Sequence, residues 1–344
     1  MMNKPAVLAR VASGCVGVSL FLASCAANCV ELYGIVDAYV GSTKPSGAAK
    51  STIGVESGGM TTSFWGLTGT EDLGDGLMAN FRLEGYFLTD TGASGRSPTD
   101  TMLSRNAYVG LEKANIGEVR LGRLRNPFFL ATTQFDPYGS STKFSPLQNP
   151  LWVQTFGRYV AGDSGWNNAV GYYTPDFGGL SGRFLYSLGE AAGTNSTNNF
   201  GAMLYVDRGK FTATAAFQRV KTGPGLPIGS WAQDAFTLGT AYDFGVVKGF
   251  LEYVGTRTSG GTKRSTDSFQ IGATYPIFNG KIMASVVQTN IRPEGQADFK
   301  RRDYAIGYLY PLSKRSDLYA NVLYDKLSNS GGGISTGFGM RHKF

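Results

Sequence analysis

The sequence predicts an all-β protein, a transmembrane antiparallel β-barrel of about sixteen strands. Three observations carry that expectation. Segments of about ten residues alternate apolar with polar side chains, the period of two expected of a strand with lipid on one face and water on the other. The connections between them alternate short and long along the whole chain. The last segment sets Phe338, Met340, His342 and Phe344 on one face, puts Gly339, Arg341 and Lys343 between them, and ends on the aromatic.

Composition agrees. Gly 48, Tyr 18 and Phe 22 are high, Cys 3 and His 1 are low, and mean hydropathy is close to zero. A barrel with a wet bore must average to neutrality, because half of its strand residues face water. The length of 344 residues would also suit about two soluble domains, but no linker divides the chain. Residues 1–27 read as an export signal and 28–344 as one barrel domain. Lys4 and Arg10 supply the positive region, 11–22 the apolar core and 23–27 a small-residue zone cleaved after Ala26 or Ala27. Leu22-Ala23-Ser24-Cys25 also reads as a lipoprotein box, which would leave an acylated Cys25. Loss of Lys4 and Arg10 takes the formal charge from +7 to about +5. Cys15 and Cys25 leave with the signal, so Cys29 stands alone and no disulfide framework is expected.

The expected strands, in order, are 30–43, 61–71, 77–89, 102–113, 117–129, 166–175, 180–190, 198–207, 210–221, 231–243, 247–258, 265–276, 280–291, 301–311, 316–328 and 334–344. Short connections fall at 72–76, 114–116, 176–179, 208–209, 244–246, 278–279 and 312–315. Long ones fall at 44–60, 90–101, 130–165, 191–197, 222–230, 259–264, 292–300 and 329–333. A soluble β-sandwich has no reason to keep that alternation. No segment carries a helix-period pattern of comparable length.

Strand alternation assigns faces. In the first strand Leu32, Gly34, Val36, Ala38 and Val40 oppose Glu31, Tyr33, Asp37 and Tyr39, with Ile35 interrupting the polar set. In the third, Phe81, Leu83, Gly85 and Phe87 oppose Asn80, Arg82, Glu84 and Tyr86. A lipid-facing Arg costs about 2–4 kcal/mol at the bilayer midplane, so Arg82 and Glu84 are expected to point inward. Tyr253, Tyr275, Tyr310 and Tyr324 suit an interfacial girdle as well as ordinary packing.

Several short motifs, in this order and spacing, make the chain resemble a general bacterial porin of the β-proteobacterial kind. They are 32–37 (LYGIVD), 64–74 (FWGLTGTEDLG), 105–111 (RNAYVGL), 121–123 (LGR), 312–319 (LSKRSDLY) and 341–344 (RHKF). The closing strand, with Phe338, Met340 and Phe344, resembles the membrane-insertion signal of outer-membrane barrels. The resemblance implies an outer-membrane homotrimer of sixteen-stranded barrels that passes small hydrophilic solutes and inorganic ions by diffusion. It also implies that the third extracellular loop, here about 130–165, folds into the barrel and narrows it. Acids on that loop then face arginines on the wall: Arg105, Arg123 and Arg158 by motif position, Arg82 by alternation, and Asp136 as the loop acid.

The chain departs from the family pattern in two places. Phe64 stands where related porins often carry an arginine, and the loop is poor in acids, with Asp136 nearly alone before Asp163 while Lys143 adds positive charge. An excess of wall cations predicts a lean to anions. The opposing possibility is structural pairing of Arg82 with Glu84 or Glu31 and of Arg123 with Glu118, which would cancel much of that field.

Catalysis finds little support. The sole histidine, His342, falls in the outward set, which leaves no triad or His-based metal site, and no cofactor is expected. Gly209-Lys210-Phe211 and Gly280-Lys281-Ile282 lack a phosphate-loop pattern. Dispersed charge argues against nucleic acid. The expected partners are outer-membrane lipid and lipopolysaccharide, further copies of the chain, small hydrophilic solutes and inorganic anions. Lys300-Arg301-Arg302 and Lys263-Arg264, at outer loop ends, suit either lipopolysaccharide phosphates or a solvated rim. Three functions stay open: a passive porin, a channel selective for an anion or organic acid, and an adhesive barrel of low conductance.

Overall fold

The computed structural model describes residues 30–189, 197–261 and 263–344. The export segment, its cleavage zone, Cys25 and Cys29 lie outside them. Seventeen strands are present among the described residues. They are Glu31–Thr43 (β1), Thr52–Ser57 (β2), Phe64–Gly74 (β3), Leu77–Tyr86 (β4), Asn106–Lys113 (β5) and Gly117–Arg125 (β6). Gly165–Tyr173 (β7), Leu180–Ser187 (β8), Asn199–Arg208 (β9), Phe211–Val220 (β10), Ser230–Asp243 (β11) and Lys248–Gly260 (β12) follow. The remainder are Arg264–Ile277 (β13), Gly280–Pro293 (β14), Phe299–Pro311 (β15), Ser316–Leu327 (β16) and Gly333–Lys343 (β17).

From β3 to β17 consecutive strands pair antiparallel, and β1 pairs with β17 from Ile35↔Lys343 to Ser42↔Thr336, which closes the sheet. Phe344 extends the seam by exchanging both backbone hydrogen bonds with Gly34, at 3.2 Å each. The barrel has sixteen strand positions, because β2 and β3 share one: β1 pairs with β2 through Ala38–Thr43 and with β3 through Glu31–Ile35. The expected loop 44–60 therefore contains a strand that alternation did not reveal, six residues long and interrupted by Gly58 and Gly59.

Asp37 fills the interruption. Its carboxylate accepts from the backbone N–H of Gly59, Met60 and Thr61 at 3.0, 3.0 and 2.8 Å, and from the Tyr319 hydroxyl. Those amides have no strand partner, and an unmet buried N–H costs about 1–3 kcal/mol, so this acid is what makes the break tenable.

Burial is inverted relative to a soluble protein. On β11 to β13 the exposed set includes Phe236, Leu238, Leu251, Phe269 and Ile271, while Thr237, Glu252 and Gln270 are buried. The apolar side therefore faces outward and the polar side inward, as a lipid environment requires. Phe338, Met340 and Phe344 are exposed on this outer face, and His342 lies in the same set with its Nδ1 2.8 Å from Ser316 Oγ.

The longest connection, 126–164, fills much of the bore. It opens with helix α1 (Pro127–Gln134), capped by Asn126, whose side chain accepts from Phe128 N at 2.9 Å. An asparagine cap followed by proline at the first helical position is a helix start, so the expected strand 117–129 stops at Arg125. A short helix, Gln148–Trp152 (α2), and a 3₁₀ turn, Gln154–Phe156, follow. Phe128, Phe129, Leu147, Leu151 and Val160 pack on Met203, Ala216, Ala235, Val254 and Val287, the inward residues of β9 to β12 and β14. Fully burying a side chain of that size contributes about 1.5–3 kcal/mol.

Wall glycines let the loop approach. A Cβ at Gly272 would lie 2.5 Å from Pro137, and one at Gly239 would lie 2.8 Å from Phe135. Tyr138 Oη reaches Met283 O at 3.1 Å, and Ser141 Oγ reaches Gly59 O at 2.6 Å, which ties the loop to the strand break.

Two outcomes test this architecture. Gly272→Val is expected to displace the loop without opening the wall, read as faster proteolysis within 126–164 on the folded, detergent-solubilised protein. Asp37→Ala is expected to cost about 1–3 kcal/mol for each amide left unmet, read as a lower temperature for loss of the compact form on unheated gels, with Asp37→Asn intermediate.

Candidate functional site

A cavity of about 1280 Å³ is bounded by the long loop, the 87–105 connection and the loop-side ends of β4 to β7. Six cations line it, Arg96, Arg105, Arg123, Arg125, Lys143 and Arg158, against four carboxylates, Glu56, Asp90, Asp100 and Asp163. How far these charges cancel depends on their pairing.

Asp163 gathers two of the arginines. It accepts from Arg96 Nη1 and Nη2 at 2.9 and 3.0 Å and from Arg123 Nη2 at 2.7 Å. Arg96 also holds Asp100 through Nε at 2.7 Å and lies over the Tyr86 ring at 4.9 Å. Burial pushes the Asp163 carboxyl up, but the hydrogen bonds and charge of Arg96 and Arg123 outweigh it and hold the group well below the usual carboxylate range. Lys143 Nζ pairs with Glu56 at 2.7 Å, and Arg105 pairs with Glu84 while its guanidinium stacks 3.9 Å above the Phe64 ring.

Arg125 and Arg158 in the cavity, and Arg82 on the adjoining wall, have no carboxylate within ion-pairing distance among the described residues. Arg125 donates to Tyr86 Oη and lies 4.7 Å over the Phe129 ring. Arg158, in left-handed backbone at φ 40, donates to Gly162 O at 2.7 Å. Arg82 lies 5.9 Å over the Tyr33 ring. Its expected partner Glu84 is taken by Arg105, Tyr33 and Asn106. Glu118, expected beside Arg123, binds Arg120 instead at 2.6 Å. Aromatic faces thus replace carboxylates as the support for Arg82 and Arg125, which holds a guanidinium in place without cancelling its charge.

The cations continue toward the short-turn end. Arg82 stands opposite Tyr108, Arg120 lies one inward position further along at Gly110, and Arg183 stands opposite Tyr173. Arg120 is sandwiched by the Tyr108 and Tyr173 rings at 4.6 and 4.1 Å.

The structure brings Arg105, Arg123, Arg158 and Lys143 to this cavity, with Arg82 on the same wall; Arg158, expected on the wall, stands on the long loop instead, and Asp136 is set apart. Asp136 is buried within the loop fold, where it accepts from Tyr138 N at 2.8 Å and from the Ser145 hydroxyl. Burial pushes its pKa up to about 7 against those hydrogen bonds. It closes the turn at Asp136-Pro137-Tyr138, which is why a sequence that marked it as an acid facing the arginines did not place it. The loop instead lines the cavity with neutral Ser140, Thr142, Trp152 and Gln154, the cations Lys143 and Arg158, and one acid, Asp163, at its end. Arg96, Arg125 and Asp100 escaped sequence reading, and Asp163 was marked there only as the end of the acid-poor stretch of the loop. Arg96 and Asp100 lie in a connection with no period, and Arg125 sits where strand alternation ends.

A family model described as Gram-negative porin matches residues 14–330. Outer membrane porin protein 32 of Delftia acidovorans is 33% identical, with 94% of this chain and 96% of that protein covered. An outer membrane porin protein of Bordetella pertussis is 27% identical over the full length of both. Among solved structures, the anion-selective porin from Comamonas acidovorans superposes with a TM-score of 0.76 at 30% identity, covering 92% of this chain and 99% of that one. OmpT of Vibrio cholerae in its trimer form superposes with a TM-score of 0.68 at 15% identity, covering 92% and 99%, a likeness of fold alone. With a closed barrel, an outward apolar face and these relatives, the chain belongs to the Gram-negative porin family and is a porin of the bacterial outer membrane.

Proposed function

We propose that the channel passes small hydrophilic solutes and inorganic ions by passive diffusion and prefers anions. One observation carries the preference: Arg82 and Arg125 on the wall and Arg158 on the long loop have no carboxylate partner among the described residues, and six cations line the cavity against four carboxylates. The printed name of the Comamonas relative, an anion-selective porin, agrees.

The magnitude is adequate. A unit charge 4 Å away contributes about 1 kcal/mol in water and more beside a low-dielectric wall. Attraction of an anion and equal repulsion of a cation at that range separate the two by about 2 kcal/mol for one arginine, more than tenfold in occupancy at low salt. Screening shortens from about 10 Å at 0.1 M to about 3 Å at 1 M, so the preference should fade as salt rises.

The mature protein, on this reading, is residues 28–344 after removal of the export segment, assembled as a homotrimer. Ile334, Val40, Ile53 and Val55 keep the outer face of β17, β1 and β2 apolar up to the loop end, a surface that a second copy would cover. No step requires a cofactor or a catalytic group.

Reversal potential in a KCl gradient is the test, and the expected sign is that of an anion-preferring pore, larger at 0.1 M than at 1 M. A cation-selective reading would refute the assignment. Arg125→Gln is expected to lower the anion-to-cation ratio severalfold. Asp163→Asn is expected to raise it, because Arg96 and Arg123 lose their shared carboxylate. The folded Asp163 pKa is depressed, so its anchoring of the loop is fully present above the unfolded value of about 3.9 and is lost only as pH falls through the lower folded value. Wild-type selectivity should therefore owe no change to Asp163 between about pH 5 and 8.

A further inference from the structure

The turn of the long loop is pressed onto three adjacent strands. Phe135 packs on Gly239 of β11 and Pro137 on Gly272 of β13, where an added Cβ would lie 2.8 and 2.5 Å from those side chains. β12 runs between them, and its residue opposite Gly239 is Glu252, which faces inward. Asp136, the residue between Phe135 and Pro137, is therefore laid across Glu252. The two carboxylates lie within electrostatic reach of each other, and each residue is only 4% exposed.

Their surroundings hold no counter-charge. Asp136 accepts from Tyr138 N at 2.8 Å, from the Ser145 hydroxyl and from the Gln148 side chain, all neutral groups of the loop. Glu252 accepts from Thr237 Oγ1 at 2.9 Å, and its Oε2 has no partner among the described residues. Gln270 stands opposite Glu252 on β13 with neither amide atom engaged, and Ser285 Oγ on β14 is unengaged too. Tyr138 gives its hydroxyl to Met283 O at 3.1 Å, and Tyr205 of β9 meets the Phe135 ring at 6.5 Å. Helix α1 carries no charge. The other inward charges of β11 to β14 stand at strand ends, Asp243, Lys248 and Lys281 by the short turns and Arg264 by the long loops. Lys248 lies over the Phe250 ring at 5.4 Å, and Lys143 on the loop is taken by Glu56.

Two carboxylates in one dry site cannot both be charged, because burial disfavours each ion and each opposes the other. We propose that Asp136 and Glu252 form a carboxyl pair that seats the loop turn on β12 only while it carries a proton, with Glu252 as the positioning residue that sets where the loop stands in the bore. A protonated carboxyl is a donor to the other acid or to Gln270 Oε1, whereas an ionised pair drives Asp136 off the wall. Asp136 titrates at about 7 in the folded chain, above its unfolded value of about 3.9. The hold is therefore complete below the unfolded value and is lost as pH rises through the folded one. Packing of Phe128, Phe129, Leu147 and Leu151 on the wall keeps the rest of the loop in place, which confines the release to the turn. The inference concerns the seat of the loop and is independent of ion preference.

The test is backbone amide exchange of residues 135–141 in the folded, detergent-solubilised protein, each rate divided by that of the Asp136→Asn, Glu252→Gln double variant at the same pH. In the wild type the ratio is expected to rise about tenfold from pH 6 to pH 8. Open-channel current noise in a planar bilayer is expected to rise over the same interval, with the double variant level. Glu252→Gln alone is expected to match wild type at pH 6 and to lose most of the rise, whereas Glu252→Ala loosens the turn at both values. A ratio that stays flat in the wild type would overturn the proposal. So would a Glu252→Gln variant that behaves as Glu252→Ala does, since Glu252 would then only fill space. A profile moved by calcium or EDTA at fixed pH would assign the pair to a bound cation and overturn it as well. Absence of conductance at both pH values would sink the channel reading and leave the exchange result standing.

Discussion

No backbone N–H or C=O can be left unpaired in hydrocarbon, and every other feature of this chain is arranged around that requirement. A sheet meets it only by closing on itself, here through the seam of β1 with β17 and the reciprocal bonds of Gly34 and Phe344. Closure then forces the side-chain pattern. Each strand owes one face to lipid and the other to the bore, so polar and charged residues are carried inward in numbers that no soluble core would accept. The bore must be wet or filled, and in this protein it is partly each: the 126–164 segment occupies one side and leaves a cationic cavity on the other.

Inside that cavity the arginines are managed by two means with different electrical results. Carboxylates hold Arg96, Arg105 and Arg123 and remove much of their field. Aromatic rings hold Arg82 and Arg125 and leave theirs. On the proposed reading, selectivity follows from how the two kinds of support are distributed, more than from the number of arginines. Asp136 illustrates the same point from the other side: an acid spent on closing a turn contributes little to the bore.

Much of the wall was legible in the sequence because a period of two is imposed by lipid on every strand, and Arg82 and Glu84 could be turned inward on energetic grounds alone. The loop was not legible in the same way. Its helix start at Asn126-Pro127 carries a clear capping signal, but it directly continues a strand pattern that masked it. β2 escaped because Gly58 and Gly59 read as loop residues and because the acid that stabilises the break, Asp37, is distant in sequence. Pairings were the least legible of all. Alternation gives a side chain's face but not its partner, so Glu84 and Glu118 were set beside the wrong arginines.

The broken strand has a consequence for how deep the barrel sits. Among the described residues β2 is laddered only to β1, so its far edge has no strand partner. Such a border cannot be immersed in acyl chains. The waterline on this flank must therefore run below Thr52–Ser57, or another surface must cover that border.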